Sequence, residues 1–309
     1  MISRDDRLVG GVWGHLVGDA LGVPYEFRSP GAVGQVRWGE VGTHSQPAGT
    51  WSDDGGLMLA LLDSLLERGF DLDDQGRRGL AWRYGSQYKP GELFDVGNTT
   101  SRALGRIRAG VKAAEAGGIT QSDNGNGSLM RILPVALVGG PLGDRELIDR
   151  AMRASAVTHG HPCSKVVCAL YVLVAARLLD GVEPTAALDA AKAALESALD
   201  DPGREELARV CGHRDRTGSG YVVDTFWSAW DAFAGADDYQ QCVTRAIEYG
   251  NDTDTTAAVA GGLAGLHWGI HGIPAKWVEV MRGQEIVNAL LAKLLAQEGQ
   301  STGSRPVGI

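Results

Sequence analysis

The sequence lacks several features that mark large classes of protein. Its four cysteines show no CxxC pairing, which predicts reduced core residues in a cytoplasmic protein. No block of lysine or arginine stands out in a chain whose net charge is −9, so a nucleic-acid partner is not expected. Residues 1–7 are charged and have no secretion-type apolar stretch.

Long apolar runs and strand patterns are also scarce. The continuous apolar run 166–176 is bounded by Lys165 and Arg177, and its length favours a central helix over a membrane span. Helical spacing of apolar residues recurs from one end of the sequence to the other, whereas strand-type alternation is nearly absent. The sequence therefore predicts an all-α protein of ten or more helices with no membrane association.

Glycine, in contrast, is abundant at 44 residues, and several glycines fall inside the first predicted helix, 7–21. Each costs the helix roughly 1 kcal/mol relative to alanine. A helix that accepts this cost is expected to be packed very closely or to face a ligand. A last helix is predicted over 274–297, so that residues 1–298 form one domain and 299–309 a flexible tail.

Two polar, acidic segments each stand directly before an apolar helix. Their candidate metal ligands are Ser52, Asp53, Asp54, Asp252, Asp254 and Thr255. Carboxylates and hydroxyls are hard oxygen ligands that suit Mg²⁺, Mn²⁺ or Ca²⁺. The alternative is that the segments only cap their helices. Four carboxylates brought together would repel unless cations lay between them, so the joint pattern favours a two-metal site in a single domain.

A third segment, Asn124-Gly125-Asn126-Gly127-Ser128, alternates asparagine and glycine before a predicted helix. Such a helix start would expose several backbone amides, which suits a phosphate group. The segment is neither a Walker P-loop nor a GxGxxG motif.

Four isolated residues remain open between a functional and a structural role. Glu26 follows a helix stop and Asp95 precedes a glycine, so each is a site acid or an ordinary loop residue. His159 is a ligand or a structural imidazole at a helix start. Tyr221, beside the glycine loop that contains Gly220, is placed to stack on a ring or to join the core.

Taken in order, seven segments resemble the motifs of the ADP-ribosylglycohydrolases, of the dinitrogenase-reductase-activating glycohydrolase and ADP-ribosylhydrolase type. The segments are Gly18-Asp19-Ala20-Leu21-Gly22 with Glu26, Ser52-Asp53-Asp54, Phe94-Asp95-Val96-Gly97-Asn98-Thr99, Asn124-Gly125-Asn126-Gly127-Ser128-Leu129-Met130-Arg131, Thr158-His159, Gly218-Ser219-Gly220-Tyr221-Val222 and Asn251-Asp252-Thr253-Asp254-Thr255. The resemblance extends from about residue 7 to about residue 290.

The resemblance implies an orthogonal all-α bundle with two Mg²⁺ or Mn²⁺ ions in a cleft. It also implies hydrolysis of the bond between ADP-ribose and a modified side chain, often arginine. Glu26 would lie near the metals and the reacting water, as general base or labile ligand. Asp95 would face the leaving group, where a carboxylate pairs well with a guanidinium. The substrate-binding residues would be Asn124, Gly125, Asn126, Gly127, Ser128, Met130, His159, Gly220 and Tyr221.

The expected substrate is an ADP-ribosylated protein or small molecule, the product is ADP-ribose, and the protein is expected to be a monomer. Two alternatives stay open. The first is a non-catalytic ADP-ribose binder or crystallin-like structural protein, which would show binding without turnover. The second is a metal-dependent phosphohydrolase, which would release AMP. The sequence leaves open arginine, serine, nucleobase and ester linkages, and the choice between Mg²⁺ and Mn²⁺.

Overall fold

Helices make up nearly all the regular structure in this computed structural model, which describes residues 2–140 and 142–303. The α-helices of the described residues are α1 (Arg4–Gly22), α2 (Asp53–Arg68), α3 (Leu72–Tyr84), α4 (Asn98–Arg108), α5 (Pro134–Leu137), α6 (Asp144–Ala156), α7 (Pro162–Leu179), α8 (Pro184–Ala198), α9 (Asp201–Gly212), α10 (Val222–Ala234), α11 (Tyr239–Glu248), α12 (Thr253–Trp268), α13 (Ala275–Glu279) and α14 (Gln284–Gly303). Within those residues, β-pairing is limited to two isolated bridges, Gly118 with His159 and Gly125 with Tyr221. The all-α prediction is confirmed.

The most extensive helix contact joins α1 to α12, near the two ends of the sequence. The two backbones touch through glycines. A Cβ atom built on Gly14 would lie 2.3 Å from the carbonyl oxygen of Gly261, and one built on Gly18 would lie 2.2 Å from that of Ala257. Only glycine allows such an approach, because every other residue would place a side chain between the backbones. The glycines that weaken α1 as an isolated helix therefore hold it against α12.

Helix α7 lies in the centre of the hydrophobic core and packs against α6, α8, α9 and α10. It is the one helix of the described residues that is long and apolar enough to cross a membrane, and 78% of it is buried inside the protein. A core helix passes the same test, so this property is weak evidence for a membrane span. One core cluster contains residues from Leu8 to Leu294.

Two predicted helices differ from the structure. The helix expected over 274–297 is broken into α13 and α14 at Gly283, whose φ is +65° and whose Cα faces the ring of Trp51 so closely that a Cβ would lie 2.6 Å away. The prediction of a helix directly after the Asn-Gly segment is also wrong. Asn126–Ser128 forms a single 3₁₀ turn, and the next α-helix begins only at Pro134.

The C-terminal boundary stays a prediction. Helix α14 continues to Gly303, so the first part of the expected tail is helical, and 304–309 lie outside the described residues.

The α1–α12 contact predicts a large penalty for one methyl group. Gly14→Ala should lower the free energy of unfolding by about 1–3 kcal/mol or more, because the added Cβ overlaps a backbone oxygen that cannot rotate away. Thermal and urea unfolding followed by circular dichroism measure the change. The matched control is Gly105→Ala in α4, where nothing lies within 4 Å of the added Cβ. The control should gain up to about 1 kcal/mol. Equal stability of the two variants would contradict the proposed contact.

Candidate active site

The two acidic segments lie together at the first turns of α2 and α12. Thr255 Oγ1 donates a hydrogen bond of 3.2 Å to Asp54 Oδ1, which joins positions 201 residues apart. Carboxylate oxygens of Asp19, Asp54 and Asp254 all lie within 4.8 Å of one another. The starts of two buried helices thus bring their acids to one point.

Asp19, from α1, was not among the predicted site residues, yet it organises one side of the cluster. Its carboxylate accepts hydrogen bonds from the backbone N–H of Ser52 at 3.0 Å and of Gly55 at 2.8 Å. These bonds fix the start of α2 and therefore the direction of Asp53 and Asp54. The available sequence signal was an acid inside the apolar, glycine-rich part of a helix, where a buried carboxylate needs partners.

The structure also bears on the capping alternative. Ser52 caps α2, because its Oγ accepts from the N–H of Asp54 at 3.2 Å. Asp252 occupies the N-cap position of α12, but its side chain makes no capping hydrogen bond. Its Oδ2 instead accepts from Nδ2 of Asn126 at 2.9 Å. Capping therefore accounts for the hydroxyl of Ser52 and leaves the carboxylate of Asp252 directed at the Asn-Gly segment.

A second group of acids stands on irregular backbone beside the first. Ligand atoms of Glu26, His44 and Asp95 lie within 4.8 Å of one another, and Glu26 makes a similar group with Asp252 and Asp254. His44 Nε2 is hydrogen-bonded to Glu26 Oε2. His44 was missed because it lies in the glycine- and proline-rich segment 29–49, which has no periodicity and no motif.

Backbone strain accompanies this second group. Asp95 has φ +47°, and Phe27 and Asn251 have φ +65° and +59°. Phe27 N–H donates to the carbonyl of Asn251 at 2.6 Å, and Asn251 N–H donates to the carbonyl of Arg28 at 2.7 Å. Left-handed conformations of residues other than glycine are costly and concentrate at functional sites. Here the two hydrogen bonds fix the segment after Glu26 to the start of α12.

Burial, and then repulsion between neighbouring acids, raises the pKa values of the cluster. Burial and the nearby Asp95 raise the pKa of Glu26 to about 9. Burial raises the pKa of Asp19 to about 7, although its backbone hydrogen bonds oppose the change. Burial and neighbouring carboxylates hold the pKa values of Asp53, Asp54 and Asp254 well above the usual range. The cluster is therefore unfavourable as a set of bare anions.

Two buried oxygen atoms show where a positive charge fits. Among the described residues, neither Asp54 Oδ2 nor Asp254 Oδ2 has a hydrogen-bond partner. An ionised oxygen buried without a partner is strongly destabilising. A divalent cation bound there would supply the missing partner and reverse the pKa shifts. The donor set, all carboxylate and hydroxyl oxygens, suits Mg²⁺ or Mn²⁺.

A cleft of about 350 Å³ opens above the acids. The predicted site residues that line it are Glu26, Asp53, Asp95, Gly125, Asn126, Gly127, Met130, His159, Asp252 and Thr255. Phe27 and residues 96–100, which lead into α4, complete its wall. The carboxylates and the Asn-Gly segment thus face one shared space.

Five of the other predicted residues are buried: Ser52, Asp54, Asn124, Ser128 and Asp254. The side chain of Asn124 accepts from Ser164 Oγ at 3.0 Å. Ser128 is fully buried, where its Oγ lies 2.9 Å from Ser155 Oγ.

The glycine loop that contains Gly220 braces the Asn-Gly segment. Asn126 N–H donates to the carbonyl of Gly220 at 3.0 Å, and Tyr221 Oη lies 3.7 Å from Cys163 Sγ. The direct substrate contacts predicted for Asn124, Ser128, Gly220 and Tyr221 stay predictions.

A family model described as ADP-ribosylglycohydrolase matches residues 1–305. The chain belongs to the ADP-ribosylglycohydrolase family. It is therefore a hydrolase that acts on ADP-ribosylated substrates. This membership agrees with the motif order of the sequence and with the acid-lined cleft.

Relatives match over nearly the whole chain. The ADP-ribosylarginine hydrolase Tri1 of Pseudomonas putida (strain GB-1) is 30% identical, covering 96% of this chain and 79% of that protein. The ADP-ribosyl-(dinitrogen reductase) glycohydrolase of Rhodospirillum rubrum is 30% identical, covering 96% of this chain and 98% of that protein. A solved structure described as an ADP-ribosylglycohydrolase-related protein complex has a TM-score of 0.79 and 33% identity, covering 95% of this chain and 98% of that chain.

The crowding of acids predicts that removing one stabilises the metal-free protein. In the presence of a chelator, Asp54→Asn should raise the free energy of unfolding by at least about 1 kcal/mol, because it removes a buried charge that its neighbours repel. Asparagine keeps the acceptor for Thr255 Oγ1. Thermal unfolding with chelator measures the change.

Asp74→Asn is the matched control, because Asp74 also stands in the first turn of a helix but accepts from Ser64 Oγ and Arg78 Nε, both at 2.7 Å. It should lose about 1–3 kcal/mol. A loss of stability in both variants would mean that the cluster is not strained.

Proposed function

We propose that the protein is a metal-dependent hydrolase that releases ADP-ribose from modified arginine side chains. The observation that carries the proposal is a pair of buried oxygens, one of Asp54 and one of Asp254, that have no hydrogen-bond partner among the described residues and lie beneath a cleft that Asp95 lines. Two relatives support the linkage by their names, one an ADP-ribosylarginine hydrolase and one a glycohydrolase of ADP-ribosyl-(dinitrogen reductase).

The residues that would hold two Mg²⁺ or Mn²⁺ ions are Ser52, Asp53, Asp54, Asp252, Asp254 and Thr255. When bound, the ions would polarise water and orient ribose hydroxyls. Asp19 supports this set from behind, because both of its carboxylate oxygens already accept backbone hydrogen bonds. Its contribution is to orient the start of α2.

Glu26 is the residue best placed to handle the proton of the attacking water. It is buried at the edge of the cleft, and His44 Nε2 fixes one of its carboxyl oxygens. A general base must be held within hydrogen-bond reach of the proton that it removes. The partnership with His44 provides that restraint and leaves the second oxygen of Glu26 for water.

Asp95 is the residue that we propose binds the arginine side chain to which ADP-ribose is attached. It lines the cleft with Glu26, and its carboxylate is half-buried on strained backbone. A carboxylate in this position can bind a planar guanidinium through two parallel, charge-assisted hydrogen bonds. Such a pair would hold the guanidinium of the modified arginine, the leaving group, in the cleft while the bond to the anomeric carbon is cleaved.

The first test is a panel of ADP-ribosylated arginine and ADP-ribosylated serine, each assayed with Mg²⁺, with Mn²⁺ and with chelator. The arginine substrate should be cleaved with metal only, and the product should be intact ADP-ribose. Asp254→Ala should abolish turnover, because it removes a buried ligand, while circular dichroism shows a folded protein.

Each other outcome of the panel points away from the proposal. Undiminished turnover in chelator would refute metal dependence. Release of AMP would indicate a phosphohydrolase, and binding of ADP-ribose without turnover would indicate a binding protein.

A second test separates the roles of the two loop acids. Glu26→Gln should lower kcat on every cleaved substrate by about 10²–10⁴-fold, the range for loss of a general base. Asp95→Asn should keep the bound metals and selectively lose turnover of the arginine substrate, because the guanidinium loses its charged partner. Steady-state kinetics and metal analysis of both purified variants are the measurements. Loss of metal from Asp95→Asn, or its normal turnover of arginine, would remove Asp95 from the leaving-group side.

A further inference from the structure

Arg131 is a buried cation that the functions described so far do not use. Its residue is 4% exposed, and Nη2 donates to the carbonyl of Ala154 and to Thr158 Oγ1, both at 2.9 Å. Among the described residues, no carboxylate lies within ion-pair distance of it, and Nε has no partner. Burial lowers the pKa of Arg131 to about 10, so that it remains charged at neutral pH. A buried charge without an opposite charge is costly and needs a reason.

Thr158 connects the guanidinium of Arg131 to the ring of His159 through hydrogen bonds. Arginine only donates hydrogen bonds, so Thr158 Oγ1 must accept from Arg131. The hydroxyl proton of Thr158 then needs an acceptor of its own. Among the described residues, the acceptor in contact with it is Nδ1 of His159, at 2.9 Å. Nδ1 of His159 is therefore the unprotonated nitrogen, and the ring proton is on Nε2.

The imidazole of His159 is held rigidly behind the Asn-Gly segment. Its backbone N–H donates to Ser155 at 2.7 Å, and its carbonyl accepts from Ser155 Oγ at 2.9 Å. A Cβ atom built on Gly127 would lie 2.9 Å from Cε1 and 3.4 Å from Nε2 of the ring, and one built on Gly125 would lie 3.7 Å from Nε2. The absence of side chains at these two glycines leaves Nε2 facing the cleft, which His159 lines.

Among the described residues, the rest of the cleft offers no cationic side chain to an anionic ligand. Its other end carries Glu26, Asp53, Asp95 and Asp252, and no lysine or arginine is among its described lining residues. An anionic group that enters the cleft is thus repelled at one end and needs neutral or positive donors at the other. Burial and the charge of Arg131 lower the pKa of His159 to about 3, so the ring is a neutral donor.

We propose that Arg131 and Thr158 are positioning residues, whose hydrogen-bond chain fixes His159 as the tautomer with its proton on Nε2, facing the cleft. The family resemblance already implies that His159 binds the substrate, and the hydrogen-bond chain determines which of its ring nitrogens would donate to the diphosphate of ADP-ribose. The identity of the ligand rests on the proposed function, whereas the position of the ring proton does not. This hydrogen-bond chain gives the Asn-Gly end of the cleft a hydrogen-bond donor of fixed orientation, while the cation itself stays buried.

The first measurement is the tautomer of His159 in the ligand-free protein. Proton–nitrogen correlation spectra of histidine-labelled protein separate the two ring nitrogens, and His159→Gln identifies the signals among the seven histidines. We expect the proton on Nε2 and an Nδ1 that accepts a hydrogen bond. In Thr158→Val the Nδ1 resonance should move to that of a nitrogen without a donor, and in Thr158→Ser it should return. A proton on Nδ1 in the unsubstituted protein, or an Nδ1 signal indifferent to Thr158→Val, would overturn the proposal.

The second measurement is the affinity for ADP-ribose by calorimetry, with circular dichroism to confirm folding. Thr158→Val should bind about fivefold to tenfold more weakly, the effect of one hydrogen bond, and Thr158→Ser should recover most of the loss. A second pair does not depend on Thr158. His159→Gln places an amide N–H near the position of Nε2, whereas His159→Asn places it near Nδ1. The glutamine variant should therefore bind at least about fivefold more tightly than the asparagine variant.

The two measurements separate the possible failures. Equal affinity within both pairs of variants would overturn the role of His159 as a donor to the ligand. If the unsubstituted protein carried the proton on Nε2 but did not bind ADP-ribose, the hydrogen-bond chain would be supported and the proposed function refuted.

Discussion

The contact between α1 and α12 is the constraint on which the rest of the structure depends. Its glycines repeat every four residues along α1, and the last of them, Gly22, meets the first turn of α12. A Cβ atom on Gly22 would lie 2.4 Å from the Cα of Asp254. The same backbone approach that closes the fold therefore sets the distance between Asp19 on one helix and Asp254 on the other. One helix contact therefore determines both the fold and the geometry of the acid cluster.

The acid cluster works against the stability that this contact provides. Burial raises the pKa values of Asp19, Asp53, Asp54 and Asp254, and two carboxylate oxygens have no hydrogen-bond partner among the described residues. Such an arrangement persists because the surrounding helices determine it, and natural sites commonly trade stability for function in this way. The glycine contact is thus strong for a reason beyond folding, since it must hold together groups that repel one another.

Much of the architecture could be predicted from the sequence, because helical periodicity and acids before apolar runs are local signals. The segments 52–54 and 252–255 were predictable as candidate ligand groups, since each stands at a helix start. His44 was not, because nothing local marks a histidine that meets Glu26 only after the loop folds. The break at Gly283 was missed for a similar reason, as it depends on the ring of Trp51, more than two hundred residues away. Signals that arise from tertiary contact are absent from a single sequence.

The acids of the site stand on two kinds of backbone, helices and irregular segments. Asp254 stands on α12, which the glycine contact fixes, and Asp53 and Asp54 stand on α2, whose start Asp19 orients. In contrast, Glu26, His44 and Asp95 stand on irregular segments. Changes in the loops leave the helix contact untouched, so under the proposed function the recognition of the acceptor would change while the proposed metal centre stays the same. In evolutionary terms, the helical scaffold would then be conserved as a unit, and substitutions in the loops would alter which leaving group is accepted.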